Sequence, residues 1–314
     1  WKVHGMTRKQ RIAIIGGGIG GLTAAAALRA RGFEIDVYER AGALAEVGAG
    51  IQIGPNGVRV LYAMGFKPQL DAFACSTPKF VSLTFDTARY RLKESLSETS
   101  IARYGVPYLT MHRADLYSAL VTDVPAASVH QEQACTGAET HGDVAVAHFE
   151  GGKSIEADII IGADGVRSAV RESLFGKDKP RYTGQTCFRA MVPMDVVPER
   201  IGPDGIDMRT DNVGWIGPKG HVICYPIRAG NMLNLFCGFV NDDWAEESWT
   251  VPTSQDEMQD VFAGWSPILL DILRHSEAGF KWGLHDRDPM QQWTKGRMTL
   301  LGDAAHPMMP TLAQ

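Results

Sequence analysis

The residues Gly16-Gly17-Gly18-Ile19-Gly20-Gly21 carry the spacing Gly-x-Gly-x-x-Gly between an apolar run and an alanine-rich stretch. In that setting Gly16 permits a tight turn and Gly18 lets the backbone approach a pyrophosphate. Gly21 lets a helix pack closely on a strand, and the helix N-terminus offers amides and a positive dipole to phosphate. Glu39 lies about 18 residues beyond Gly21, where a carboxylate suits ribose hydroxyls and disfavours a 2′-phosphate. The chemistry indicated is dinucleotide binding, with a purely structural glycine turn as the alternative. The motif by itself leaves NAD and FAD both open.

Those residues need a strand, a turn, a helix and a second strand in that order. Arg11–Ile15 reads as the first strand and Leu22–Leu28 as helix. Arg31-Gly32-Phe33 closes the helix with a cation and a glycine, and Glu34–Glu39 alternates as a second strand, giving a βαβ unit. Gly48–Asn56 is a glycine-dense loop, and Pro55 opens a helix running to Met64. Val81–Leu92 alternates as one strand, His112–Val124 is helical, and Val144–Phe149 and Glu156–Ile161 read as strands, with residues 157–161 apolar enough to be central. From Lys177 to Phe280 the chain turns β-rich, with strands at Val222–Ile227 and Leu233–Val240 and one helix at Ser254–Ala263. Arg297–Leu301 is a further buried strand, followed by a turn at Gly302-Asp303. The fold class predicted is α/β, a Rossmann-like nucleotide domain with an interleaved β-sheet-rich domain.

Composition narrows the partners. A net charge of −5 without clustered Lys and Arg argues against nucleic acid. No apolar stretch is long enough for a membrane span, and a cytoplasmic enzyme is the default. Cys75, Cys135, Cys187, Cys224 and Cys237 are an odd number at wide spacings, which indicates reduced, mostly buried thiols and neither a disulfide framework nor a metal site. Met6 is read as the natural start, with Trp1–Gly5 foreign to it.

Two later motifs decide between the dinucleotides. Ile161-Gly162-Ala163-Asp164-Gly165-Val166-Arg167-Ser168 and Leu301-Gly302-Asp303-Ala304-Ala305-His306-Pro307, with the glycine motif, resemble the three fingerprints of the group A flavoprotein monooxygenases in order and spacing. The resemblance spans about Lys9 to Gln314. Gly48–Asn56, His112–Leu116, Gly220–Pro226 and Asp286–Pro289 are similar to the branch containing salicylate, 3-hydroxybenzoate and 6-hydroxynicotinate hydroxylases. It implies a glutathione-reductase-type FAD-binding domain at 6–176, with strands about 81–110 serving the substrate side. A substrate domain at 177–285 and a return to the FAD-binding domain at 286–314 follow.

The cofactor residues expected are Gly16, Gly18, Gly21, Glu39, Arg40, Gln52, Arg113, Asp164, Asp303 and Pro307. Asp303 suits the ribityl hydroxyls and neighbouring amides suit phosphate. The resemblance implies Arg113 at the flavin phosphate or ribityl region, Gln52 near the isoalloxazine and Pro307 bordering the ring, with His306 packed beside the flavin rather than catalytic. Asp164 serves cofactor and nicotinamide in relatives, while Arg167 either shares that role or braces the fold. NADH or NADPH is the transient reductant, NADH preferred, since no second nucleotide fingerprint or 2′-phosphate site is present.

The reaction implied is hydroxylation of a small hydroxylated aromatic acid by O2, through a flavin C4a-hydroperoxide. A phenolate is the better nucleophile, so a base near the substrate hydroxyl and a water-poor cavity are needed. His221 is the candidate base, with Tyr225 sharing its strand face. The alternative is a turn histidine and a core tyrosine. Arg189, Arg209 and Arg228 are equal candidates for a substrate carboxylate. Pro310 and Thr311 argue against 3-hydroxybenzoate itself, and the tryptophans are expected to pack. Homodimerisation is an open option. Rival readings are another flavin oxidoreductase of this fold, and a fragment with impaired FAD binding, because relatives continue past the third motif with a glycine-alanine helix.

Overall fold

Ile12, Ala13, Ile14 and Ile15 are all buried, so the strand Arg11–Ile15 needs covered neighbours on both edges and faces. It finds them in parallel pairing with Glu34–Tyr38 on one side and Ile159–Gly162 on the other. The computed structural model describes residues 9–42, 49–242, 251–276 and 279–310, so Gly48, Trp244, Trp249 and Thr311 lie outside the described residues. The chain divides into two units: Trp1–Glu46, Leu116–Arg181 and His285–Met309 form the first, and Val47–Asp115, Tyr182–Leu284 and Pro310–Gln314 the second.

In the first unit, a sheet runs in the order Thr294–Lys295, Met298–Leu300, Ile159–Gly162, Arg11–Ile15, Glu34–Tyr38, Val129–His130. Its members are parallel except at the Thr294–Lys295 edge, which pairs antiparallel. The helix Ile19–Arg29 crosses from Arg11–Ile15 to Glu34–Tyr38, and Gly32 at φ +89 turns the chain after it. Glu156–Ile161, expected as one strand, is two. Ser154–Ala157 joins an antiparallel sheet with Val144–Phe149 and Cys135–His141, while Ile159–Gly162 enters the parallel sheet. The break falls at Asp158, whose N–H donates to the Arg11 carbonyl and whose carboxylate accepts from the Arg11 N–H at 2.8 Å. A side chain that bonds the neighbouring strand's backbone pivots the chain from one sheet to the other.

The second unit is built on a sheet ordered Val251–Pro252, Phe280–Asp286, Arg181–Pro193, Met232–Val240, Gly220–Ile227, Asn212–Gly217, Lys79–Thr84, Tyr90–Ser95. Val81–Leu92, expected as one strand, is a hairpin. Asp86 accepts from the Thr87 N–H at 2.8 Å and Ala88 sits at φ +52, so the run reverses at residues 85–89. One sheet face holds the core: Phe188, Ala190 and Val192 lie beside Leu233, Leu235 and Cys237, then Val222 and Cys224, then Val213 and Trp215. The helix Pro267–Arg274 covers that face with Leu269, Ile272 and Leu273, each burial contributing roughly 1.5–3 kcal/mol. Side chains alternate, so residues 187, 189, 191, 221, 223, 225, 234, 236, 238 and 212 share the opposite face.

A small antiparallel sheet also belongs to this unit, ordered Gly50–Ile53, Leu109–His112, Cys75–Ser76. Thr110 Oγ1 donates to the Pro226 carbonyl at 2.6 Å, and the Gly50 N–H donates to Asn234 Oδ1 at 2.7 Å. These bonds dock the small sheet onto the face opposite the core.

Candidate active site

The first unit brings the sequence motifs to one edge by register. Ile15 stands level with Tyr38 and with Gly162, and Gly162 with Leu300. Gly16, Glu39, Ala163 and Leu301 therefore leave four parallel strands at the same height, the carboxyl edge where α/β sheets bind ligands. Gly16 turns at φ +109, and its N–H donates to the Tyr38 carbonyl at 2.8 Å. Glu39 spans the turn, taking the Gly17 N–H on Oε2 at 2.7 Å and the Ala41 N–H on Oε1 at 2.9 Å. The helix Ile19–Arg29 begins with no side-chain cap and no acid in its first turn. A Cβ built on Gly18 meets nothing within 4 Å, whereas one on Gly21 comes within 2.0 Å of the Gly16 carbonyl oxygen. An uncapped, glycine-lined helix start beside a carboxylate fits the pyrophosphate and ribose of FAD.

Around the other two strand ends, Asp164 accepts on Oδ2 from the N–H groups of Ala169 (2.8 Å) and Val170 (3.3 Å), and on Oδ1 from the Ser168 hydroxyl. Burial pushes its carboxyl pKa up against these bonds. The carboxylate thus fastens the start of the helix Ala169–Phe175 to the sheet edge. Asp303 is exposed in the turn Gly302–Ala304, with Pro307 buried nearby in sequence. His306 stacks on Trp293 with centroids 5.0 Å apart. Arg40 and Arg167 are exposed.

In the second unit, His221 and Tyr225 lie on the same strand face, opposite the core. His221 stacks on Phe236 at 5.5 Å, and burial lowers its pKa below the ordinary 6.5. Tyr225 is buried, which raises its phenol pKa, while the Arg189 guanidinium beside it pulls the other way. Arg189 Nη2 donates to the Gly50 carbonyl, and its guanidinium lies 5.4 Å over Phe236 and 5.7 Å over Trp282. Gly50 has to be glycine, because a Cβ there would stand 2.5 Å from Asn234 Cγ and 2.7 Å from Tyr225 Cε2. Gln52 Oε1 accepts from the Tyr108 hydroxyl at 2.6 Å and from Asn212 Nδ2 at 2.5 Å.

Of the three arginines left open by the sequence, only Arg189 stands on this face. Arg209 donates to the Val197 carbonyl at 3.0 Å, and Arg228 sits in the turn Arg228–Gly230 and acts on His112. Arg113 is exposed at the start of the helix Arg113–Asp123, its N–H on the Ala49 carbonyl. Sequence reasoning missed Tyr108, Asn212 and Asn234. Asn234 interrupts an apolar strand and Asn212 opens one, both at buried positions, and that buried polar character is the signal that marks them.

A family model described as "FAD binding domain" matches residues 9–314. The chain is 38% identical over 311 residues to a 3-amino-4-hydroxybenzoate 2-monooxygenase of Streptomyces platensis, covering 99% of this chain and 77% of the relative. The chain belongs to the family of FAD-dependent aromatic hydroxylases. A 6-hydroxynicotinate 3-monooxygenase of Pseudomonas fluorescens is a further relative of this hydroxylase, 34% identical over 310 residues, covering 98% of the chain and 79% of the relative. Among solved structures, HpxO of Klebsiella pneumoniae with FAD and uric acid is similar to it at TM-score 0.85 and 27% identity, covering 97% of this chain and 75% of that one. A salicylate hydroxylase substrate complex is similar at TM-score 0.80 and 25% identity, with 97% and 75% covered. Among the described residues no cluster could hold a metal ion, and no helix is long and apolar enough to cross a membrane.

Proposed function

We propose that this hydroxylase inserts one atom of O2 into a small aromatic acid that carries a ring hydroxyl, using NADH in preference to NADPH. The observation that carries the reading is the grouping of a guanidinium, an imidazole and a phenol, Arg189, His221 and Tyr225, on one apolar sheet face. The relatives' substrates, 3-amino-4-hydroxybenzoate and 6-hydroxynicotinate, belong to the same class of hydroxylated ring acids.

FAD, when bound and reduced, supplies the activated oxygen. In this proposal it is held by Gly16, Gly18 and Gly21 at the helix start and by Glu39, Arg40, Asp303 and Pro307, with Asp164 acting through the helix it fastens. Arg189 takes the substrate carboxylate, for which a guanidinium is the natural bidentate partner. His221 removes the proton from the ring hydroxyl onto its free ring nitrogen, because its lowered pKa keeps that nitrogen unprotonated at neutral pH. Tyr225, whose pKa burial raises, keeps its proton and donates to the phenolate oxygen so formed. Phe236, Ile223 and Trp282 give the face its apolar lining, which excludes water from the reacting ring.

The test is NADH oxidation by the FAD-loaded protein with salicylate, 3- and 4-hydroxybenzoate, 3-amino-4-hydroxybenzoate and 6-hydroxynicotinate, recording product mass and released peroxide. One acid should accelerate oxidation and gain one oxygen. Acceleration with peroxide as the sole product would remove this substrate class and leave the flavin chemistry.

A further inference from the structure

Three side chains on the substrate face carry a buried polar atom with no partner among the described residues: Arg189 Nε, Asn234 Nδ2 and Asn212 Oδ1. The first two are donors and suit a carboxylate or phenolate. The third is an acceptor, and its neighbours fix it as one. Burial foremost, and then the nearby Tyr225, raise the Tyr108 phenol pKa, so Tyr108 holds its proton. A phenol proton in such a site needs an acceptor, and Gln52 Oε1 is there at 2.6 Å. With its oxygen so turned, Gln52 accepts Asn212 Nδ2 at 2.5 Å, which leaves Asn212 Oδ1 as the atom without a partner. Turning Asn212 over would set two carbonyl oxygens against each other. Turning both amides over would make Tyr108 Oη accept from Gln52 Nε2 and leave the buried phenol proton without the acceptor it has in Gln52 Oε1.

We propose that Asn212 is a specificity-determining residue whose Oδ1 selects aromatic acids bearing an N–H or O–H donor, an amino group or a further hydroxyl, in addition to the carboxylate. Gln52 and Tyr108 are positioning residues that hold Asn212 in the accepting orientation. The proposal rests on the hydroxylase reading above. Asn212 is only 3% exposed, so its Oδ1 has no solvent partner in the unliganded protein. An isosteric methyl group in place of the donor leaves the carbonyl unpaired and loses about 10- to 100-fold in affinity.

The experiment is calorimetric titration of the FAD-loaded protein with 3-amino-4-hydroxybenzoate, 3,4-dihydroxybenzoate and 4-hydroxy-3-methylbenzoate, with NADH oxidation followed on the same samples. The wild type should bind the two donor-bearing acids about 10-fold or more tighter than the methyl acid. Asn212→Leu should abolish or invert that preference. Tyr108→Phe should weaken it while both kinds of acid still bind, since the amide pair is then free to turn over. A purely structural Tyr108 would instead lower affinity for all three acids alike. Equal binding by the wild type, or an undiminished preference in Asn212→Leu, overturns the assignment while hydroxylation of any of the acids keeps the hydroxylase reading intact. If none of them binds or stimulates NADH oxidation, the assignment is overturned, and the hydroxylase reading is decided separately by the wider panel of acids above.

Discussion

Alanine at Gly18 should cost this protein FAD and little stability, whereas alanine at Gly21 should cost it stability first. The methyl group on Gly18 enters open space, with no heavy atom within 4 Å, at a residue whose φ of −73 any side chain tolerates. The fold loses at most about 1 kcal/mol there, the difference between glycine and alanine as a helix N-cap. The open space lies over the uncapped amides, where the pyrophosphate is proposed to rest. Displacing one amide–phosphate hydrogen bond costs about 1.5–3 kcal/mol, or roughly 10- to 150-fold in affinity. On Gly21 the same methyl lies 2.0 Å from the Gly16 carbonyl oxygen, which belongs to backbone and has to move by more than an ångström to reach van der Waals distance. Overpacking of that kind costs about 1–3 kcal/mol or more, which lowers the melting temperature by roughly 2–5 °C for a chain of 314 residues. Thermal melts of the apoproteins and FAD titrations followed by flavin fluorescence separate the two effects. A Gly18→Ala protein that binds FAD as the wild type does would refute the assignment of pyrophosphate to this helix start.

Other perturbations read the remaining parts of the site. Asp164→Ala removes the acceptor for the Ala169 and Val170 amides and should cost about 1–2 kcal/mol in urea unfolding; an unchanged midpoint would show that the helix start needs no carboxylate. His221 has a folded pKa below the ordinary 6.5, so the folded protein binds fewer protons than the unfolded one. Stability linked to it is therefore whole above pH 6.5 and falls as pH drops from there through the folded value, an effect absent in His221→Asn. The same shift sets the acid limb of kcat/KM below pH 6.5, and a limb above that value would contradict the role of His221 as base. Arg189→Met keeps the stem packed on Phe236 and Trp282 but should raise KM for a ring acid about 10- to 100-fold while leaving the corresponding phenol without a carboxylate unaffected. An equal loss for both ligands would remove the carboxylate from that contact.

The dinucleotide half was largely legible because its signals are local. Gly16-x-Gly18-x-x-Gly21 and Glu39 lie within one βαβ unit, and the strand pattern that fixes their height is written in the runs 11–15 and 34–38. The hairpin at residues 85–89 was not legible, since the alternation of Val81–Leu92 continues across it and only Asp86 and Ala88 mark the reversal. Asp158 was hidden for the opposite reason: it sits inside an apolar run, and its pivoting bond is to Arg11, far away in sequence. On the sheet face opposite the core, the shared side of His221 and Tyr225 follows from strand periodicity along one segment. The choice of Arg189 over Arg209 and Arg228, and the relay of Tyr108, Gln52 and Asn212, depend on contacts between segments that no single window contains.

Turnover of the FAD-loaded protein with NADH, a hydroxylated ring acid from the panel and ¹⁸O₂, with the product weighed by mass spectrometry, tests the proposed monooxygenation. A monooxygenase incorporates one labelled oxygen atom into the acid, and that single addition is expected for at least one member of the panel. NADH consumed with all of the label recovered in peroxide or water, and none in any acid, would contradict it.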